Sequence, residues 1–330
     1  MARADYPWLV ADIGGTNARF GLVHADNAPV VDVQSFKCSD HESPQAAASV
    51  YLQQLTRRDG APVRPLSVAL ALATPIDADV VKMTNSAWIV SRADLAAALG
   101  ARRVLLLNDF EALALALPQL GDEQIRRIGA LGADRRWPMA VIGPGTGLGV
   151  SSCAPLNNGW VALAAEGGHV TAAAADDFES DVLRVLRAEI GHVSAEHLLA
   201  GVGLPLLHKA VCTVRRVPWQ SLDAEGITRA ARERNDADCR ATLDTFCAML
   251  GTFAGNVALT VGARGGVFIA GGIVPRLGEF FFASRFRERF EAKGRFAAYM
   301  ARIATGLITA PHAALTGAAH ALAQSRVASP

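Results

Sequence analysis

A short apolar strand that runs into a glycine turn and resumes as a second strand occurs twice in this chain, once at the start of each half. The first, Trp8–Ile13, stops at Gly14-Gly15-Thr16-Asn17 and continues as Arg19–His24. The second, Ala140–Ile142, stops at Gly143-Pro-Gly145-Thr146-Gly147-Leu-Gly149 and continues as Val150–Cys153. Two β-suited runs joined by a glycine turn predict a hairpin. Its recurrence fits duplicated α/β lobes, and 330 residues give room for two cores.

The rest of the chain alternates in the same manner. Val30–Phe36 and Leu66–Ala73 read as strands, with a helix between them over about Pro44–Arg57. Ser91 with Asp94 has the spacing of a capping box, opening a helix that Gly100 stops. The continuous apolar run Val104–Leu107 reads as a buried strand that delivers Asn108 and Asp109 to its carboxyl end, before a helix starting near Phe110. Open α/β folds place ligands there. From Asp176 to about Val261 the character is helical; Cys239, Leu243, Phe246, Leu250, Phe253 and Val257 mark one buried face. Gly265–Ala270 is a strand leading to Gly271-Gly272, followed by a strand near Ile303–Ile308 and a helix after Pro311.

Charge and cysteine usage exclude several function classes. The net charge is +1 with no basic stripe, which gives no basis for binding nucleic acid or a membrane surface. Five scattered cysteines without a C-x-x-C pair imply neither a disulfide framework nor a zinc ribbon, and Cys239 reads as core. No apolar run reaches the roughly 18 residues of a membrane helix, and the amino terminus has no long apolar signal segment. The expectation is a cytoplasmic protein.

Glycine turns suit phosphate because backbone N–H groups approach it without a Cβ in the way. At the first turn, Asp12 precedes Gly14 and Gly15 and can orient Mg²⁺ through water, while Thr16 or Asn17 can bond a phosphate oxygen. The second turn offers Gly145, Thr146 and Gly147; the third, Gly271-Gly272, lets a nucleotide base or ribose lie against the backbone. One such turn alone is an ordinary hairpin. Three at strand ends, one beside an aspartate, point to a nucleotide. The chain has no G-x-x-x-x-G-K-[ST], and Gly143–Gly149 does not fit G-x-G-x-x-G, which disfavours P-loop and Rossmann folds.

Candidate polar ligands for a second substrate are Asn108, Asp109, Glu166, His169 and Glu196. By position alone Asp109 is either a helix N-cap or a functional acid. Glu166-Gly-Gly-His169 allows an acid and an imidazole to converge on one small polar molecule. Glu196 follows Ser194, a plausible N-cap, and so falls in a first helical turn. Glu189, His192 and His197 lack H-E-x-x-H spacing and read as a helix edge rather than a metal site. Carboxylates, an amide and an imidazole together match the mixed donor and acceptor character of sugar hydroxyls.

Six stretches, in family order over nearly the whole chain, resemble the proteobacterial-type glucokinases of the actin, Hsp70 and sugar-kinase superfamily. They are Asp12-Ile-Gly-Gly-Thr-Asn-Ala-Arg19, Asn108-Asp-Phe-Glu-Ala112, Gly143-Pro-Gly-Thr-Gly-Leu-Gly-Val150, Glu166-Gly-Gly-His-Val170, Leu186 through Glu196, and Gly265 through Arg276. The resemblance implies a two-lobed actin-like ATPase (ribonuclease H-like) α/β fold with a ligand cleft between a small and a large domain. On that basis the small domain spans 1–110 plus about 310–330, and the large one 111–309. It implies a homodimer that uses ATP and Mg²⁺ to phosphorylate D-glucose on its 6-hydroxyl. Asp109 is then the catalytic base, and Asn108, Asp109, Glu166, His169 and Glu196 hold the sugar. Asp12, Gly14, Gly15, Thr16, Asn17, Gly145, Thr146 and Gly147 hold the phosphates, with Asp12 also the Mg²⁺ residue, and Gly271 and Gly272 lie on the adenosine side.

Two other readings remain on the sequence. One is a kinase of the same fold for mannose, fructose or an amino sugar. The other is a non-catalytic sugar-sensing regulator, against which stand the presence of Asp12 and Asp109 and a phosphate turn that begins by Asp12.

Overall fold

The computed structural model describes residues 6–55, 60–129 and 131–327. Along the chain the elements are β1 (Trp8–Ile13), β2 (Asn17–Val23), β3 (Val31–Lys37), α1 (Pro44–Gln54), β4 (Ser67–Leu72), β5 (Val80–Lys82), β6 (Ile89–Ser91), α2 (Arg92–Leu99), β7 (Arg103–Asn108) and α3 (Asp109–Ala116). There follow β8 (Ile125–Arg127), β9 (Met139–Pro144), β10 (Leu148–Leu156), β11 (Gly159–Leu163), α4 (Asp177–Ile190), α5 (Glu196–Leu199), α6 (Leu204–Arg215), α7 (Ala224–Glu233) and α8 (Ala237–Val261). The chain closes with β12 (Gly266–Ile269), α9 (Ile273–Leu277), α10 (Glu279–Phe282), α11 (Phe286–Glu291), α12 (Ala297–Met300), β13 (Thr305–Ile308) and α13 (Ala313–Val327).

Two compact units result. One takes the chain up to Leu120, Leu156–Ala164 and the part from Ala310 on; the other takes Gly121–Pro155 and Ala165–Thr309. The first thus includes residues 111–120 and β11, which lie within the 111–309 span expected for the large domain.

The first unit is built on a five-stranded sheet, β3-β2-β1-β4-β7. β1 and β2 form the expected hairpin, Trp8 opposite Val23 and Ile13 opposite Ala18, while β1, β4 and β7 run parallel. Side chains alternate across β1: Leu9, Ala11 and Ile13 join one core with Phe20, Tyr51, Leu70 and Leu95, and Trp8 and Val10 join another with Leu315, Ala318 and Leu322 of α13. β4 is buried at all six positions, as an interior parallel strand must be. Ser43 caps α1 by accepting from Ala46 N at 3.1 Å, with Pro44 at the first helical position. That helix ends at Gln54, short of the expected end; Arg57 lies outside the described residues. Ser91 caps α2 by accepting from Asp94 N, and Gly100 ends it at φ +66°. The return bond of a capping box is absent from the bonds of the described residues there.

In the second unit the strands run β10-β9-β12-β13-β8, with β9, β12 and β13 parallel and β10 antiparallel to β9. Hairpin plus two parallel strands repeats the order β2-β1-β4-β7, so the duplication seen in the glycine turns extends to the sheets. Cys239, Leu243, Phe246, Leu250 and Phe253 are buried along α8, with Val257 partly so. All five cysteines are buried. Among the described residues no helix is long and apolar enough to cross a membrane.

Candidate functional site

In the first unit the parallel strands are in register, Ile13 opposite Leu72 and Leu72 opposite Asn108. Their carboxyl ends therefore lie along one edge, about 10 Å from first to third. At that edge the 14–17 turn leaves β1 and Asp109 leaves β7. Gly14 N donates to Asn17 O at 2.9 Å and Cys38 N to Thr16 O at 2.8 Å, so the turn is tied on both sides while the Thr16 side chain is exposed. A Cβ on Gly15 would lie 2.7 Å from both Asn85 Cβ and Asn85 O, which explains a glycine there. Asn17 is the first residue of β2, so its backbone serves the sheet as well as the turn.

Asp12 stands opposite Arg19 in the hairpin, and Arg19 Nη1 lies 3.1 Å from its Oδ2. Burial pushes the Asp12 carboxyl up from its ordinary range, while Arg19 and, less strongly, His312 pull it back. The Arg19 guanidinium only partly offsets that desolvation, so a cation placed beside the carboxylate would restore its charged form. Mg²⁺ fits, since it keeps several waters and is held by one or two carboxylates plus substrate phosphates. Among the described residues no three acidic, histidine or cysteine side chains cluster as a metal cage.

At the end of β7 the cap and the acid separate. Asn108 Oδ1 accepts from Phe110 N at 2.9 Å and Glu111 N at 3.4 Å, and Glu111 Oε2 accepts from Asn108 N at 2.9 Å. The cap is therefore Asn108, in a reciprocal box with Glu111. Asp109 is the first residue of α3, where the helix dipole favours a carboxylate, and its Oδ1 accepts from Phe110 N at 3.0 Å. Asn108 Nδ2 donates to Thr74 O at 3.2 Å, so its amide also ties β7 to the segment after β4.

The second unit gathers the remaining candidates. The 145–147 turn closes with Gly145 N donating to Gly147 O at 2.9 Å, and Gly201 N donates to Gly145 O at 2.8 Å. Next to it, Gly271 leaves β12 at φ +79°, where a Cβ would meet Pro144 O at 2.3 Å; Gly272 has open space around it. Glu166, Gly167, Gly168 and His169 form a 3₁₀ turn. A Cβ on Gly168 would fall 2.1 Å from Leu148 O, so this turn lies directly on the start of β10.

A short pairing then carries Glu196 to the same place. Ala195 N donates to Val170 O, Ala172 N to Val193 O, and Thr171 bridges Ser194. His169 Nε2 lies 3.9 Å from Glu166 Oε2, and its Nδ1 lies 4.0 Å from Glu196 Oε1. Glu166 and His169 are exposed and Glu196 is half-buried. Glu196 sits in a single-turn helix whose cap position is Ala195 rather than Ser194, although Ser194 Oγ does accept from His197 N at 3.4 Å. Glu189 pairs with Lys209 at 2.7 Å and His192 Nε2 meets Thr171 Oγ1 at 3.0 Å, both on the exposed surface.

Sequence reasoning missed Glu111, Thr74 and Gly201 as supports. For Glu111 the signal was present, since Asn108-x-x-Glu111 has capping-box spacing. Thr74 and Gly201 act through backbone atoms and leave no trace in residue type.

A family model described as Glucokinase matches residues 9–325. A curated glucokinase of Aromatoleum aromaticum is 45% identical over 317 residues, covering 96% of this chain and 95% of that protein. The crystal structure of a glucokinase from an Antarctic psychrotroph superposes with TM-score 0.89 at 38% identity, covering 96% of this chain and 99% of that one. A ROK family glucokinase from Streptomyces griseus, solved with glucose and AMPPNP, shares the fold at TM-score 0.62 and 18% identity, over 97% of this chain and all of that one.

Proposed function

This chain belongs to the glucokinase family, ATP-dependent kinases of actin-like fold, and we propose that it phosphorylates the 6-hydroxyl of D-glucose with Asp109 as general base. The observation that carries the sugar assignment is the convergence of Glu166, His169 and Glu196 within 4.0 Å contacts of one imidazole. Two carboxylates and an imidazole, brought together from the 166–169 turn and the start of α5, accept from and donate to neighbouring hydroxyls at once. A pocket that answers each hydroxyl separately rejects epimers strongly.

Asp109 takes the proton as the 6-oxygen attacks the terminal phosphorus of ATP. The phosphorus–oxygen bond to ADP breaks, and the proton leaves later to solvent. Asn108, holding the helix end as its cap, fixes where that carboxylate starts and offers its remaining amide hydrogen to the sugar. Residues 14–17 and 145–147 hold phosphate oxygens by backbone N–H and by Thr16, Asn17 and Thr146. Gly271 and Gly272 leave room for the adenosine. Mg²⁺, when bound, supplies charge neutralisation at the phosphates, with Asp12 as its residue through water. The bound glucose and AMPPNP in the Streptomyces griseus enzyme are in keeping with this pairing of substrates.

The test is ADP release from ATP and Mg²⁺ with glucose, mannose, fructose, N-acetylglucosamine and no sugar. Turnover with glucose far above the others is expected. Asp109→Ala should fold and lose at least about a hundredfold in kcat, the usual scale for a base. Turnover led by another sugar would reassign the substrate, and near-normal kcat in Asp109→Ala would remove the base.

A further inference from the structure

The amino-terminal pole of the second unit's sheet carries an arginine-lined pocket that the phosphoryl-transfer reading does not use. Residues 131–138, 263–265 and 299–304 lead into the parallel strands β9, β12 and β13 there, and enclose about 360 Å³. The 145–147 and 271–272 turns leave the opposite, carboxyl ends of β9 and β12. Strands of four to six residues separate the two poles by roughly 13–20 Å.

The pocket has a built wall and an unbalanced charge. Arg264 Cζ sits over the Trp137 indole, 3.5 Å from its centroid, which restrains its guanidinium. Asp134 N donates to Gly265 O at 3.0 Å and Gly265 N to Pro138 O at 2.9 Å. A Cβ on Gly265 would fall 2.5 Å from Trp137 O and 2.7 Å from Asp134 O, so these loops are pressed together with no slack. Arg136 and Asp134 neutralise each other through bonds of 2.9 and 2.7 Å. The Arg264 charge also helps hold the Asp134 carboxyl low, though less than Arg136 does; among the described residues neither Arg264 nor Arg302 makes an ion pair, and both line the pocket with Tyr299. Two arginines outside any ion pair thus line one concavity together with Trp137 and Tyr299.

We propose that this pocket binds a small phosphate-bearing ligand, a monoester or diphosphate, its charge between Arg264 and Arg302 and any ring it carries against Trp137 or Tyr299. Guanidinium donors match phosphate oxygens in geometry and charge.

The test uses the full-length chain labelled with 5-fluorotryptophan, whose five indoles report separately by ¹⁹F NMR. The Trp137 signal is assigned with Trp137→Phe. Inorganic pyrophosphate is titrated at constant ionic strength, set with sodium chloride. The expected result is a saturable shift of Trp137 with Kd of roughly 1 mM or tighter. The double variant Arg264→Gln/Arg302→Gln should weaken it by about tenfold or more, the scale of losing a charged hydrogen bond. Pyrophosphate at the nucleotide turns would move other signals on its own curve, unchanged in the double variant. Both substitutions are on the surface, and unaltered glucose phosphorylation verifies folding; a variant that failed this check would be replaced by Arg302→Gln alone. A Trp137 signal that stays still, or moves equally in the variant, would overturn the proposal.

Discussion

Glu196 Oε2 accepts a hydrogen bond from Leu148 N at 2.8 Å across 48 residues of chain. The same oxygen would lie 2.6 Å from a Cβ on Gly147, so it rests against the 145–147 turn itself. Its other oxygen is 4.0 Å from His169 Nδ1. One carboxylate therefore braces a turn assigned to phosphate while facing an imidazole assigned to sugar. Glu166 has no such double attachment among the described residues: it is exposed and pairs with His169.

Removing the two acids should consequently give different kinetic signatures. Glu166→Ala is expected to raise KM for glucose and leave KM for ATP close to normal. Glu196→Ala should raise both, and lower kcat/KM by about 10- to 100-fold, the cost of one charge-assisted hydrogen bond. Steady-state rates with each substrate varied in turn distinguish them. An unchanged KM for ATP in Glu196→Ala would mean that the brace on Leu148 does not matter to nucleotide binding.

Two adjacent glycines should part company in the same way. Gly271 sits at φ +79°, with Pro144 O at 2.3 Å from where a Cβ would be; Gly272 has an ordinary φ and nothing within 4 Å. Gly271→Ala is expected to destabilise by about 1–3 kcal/mol through backbone strain, before counting the clash. Gly272→Ala should melt like the parent, with any loss confined to KM for ATP. Paired thermal melts and ATP titrations check both, and equal melting points would contradict the packing described for β9 and β12.

These contrasts mark how far the sequence carries. The hairpin at Trp8–Ile13, the buried strand before Asn108 and the apolar face of α8 are local patterns, set by periodicity and glycine, and they are legible without a structure. The short strands β5, β6, β8 and β11 escaped because three to five residues leave too little periodicity to read. By position alone Asp109 could be either a cap or a functional acid; the Glu111 return bond, made to Asn108 N, puts the cap one residue earlier. The contact between Glu196 and Leu148 is tertiary, set by the pairing of 170–172 with 193–195. The Arg289 pairs with Asp176 and Glu179, more than a hundred residues away, were invisible for the same reason.

Helix packing in the first unit offers a sharper stability test. A Cβ on Gly317 would fall 1.7 Å from Ala112 O, so α13 meets α3 backbone to backbone at this point. Elsewhere in a helix, alanine in place of glycine gains about 1 kcal/mol in propensity. Here the sign should reverse, because neither backbone can yield without moving α3, whose first residue is Asp109. Gly317→Ala is expected to lower Tm and depress kcat together. A variant with raised Tm would show that the two helices do not approach this closely.

Acid sensitivity should come in part from two buried histidines. Burial lowers the pKa of His208, with Asp236 and Asp238 opposing less strongly, and burial alone lowers that of His320. His208 Nδ1 is hydrogen-bonded to Thr242 Oγ1 at 2.8 Å, and His320 Nε2 is buried with no hydrogen-bond partner among the described residues. Each is held neutral in the folded protein, while the unfolded chain protonates near its ordinary value of about 6.5. The unfolded state then binds more protons, so stability is complete above about pH 6.5 and falls as pH drops from there toward the lower folded values. Asp12, Glu179 and Asp244, pushed up by burial, act in the opposite sense, losing stability as pH rises through their folded pKa. Comparing the parent with His208→Gln/His320→Gln cancels those carboxylates and isolates the histidines. Urea unfolding at pH 8, 7, 6 and 5, all round conditions chosen to bracket about 6.5, should give a shallower decline for the double variant. Parallel declines would mean that neither imidazole resists protonation when folded.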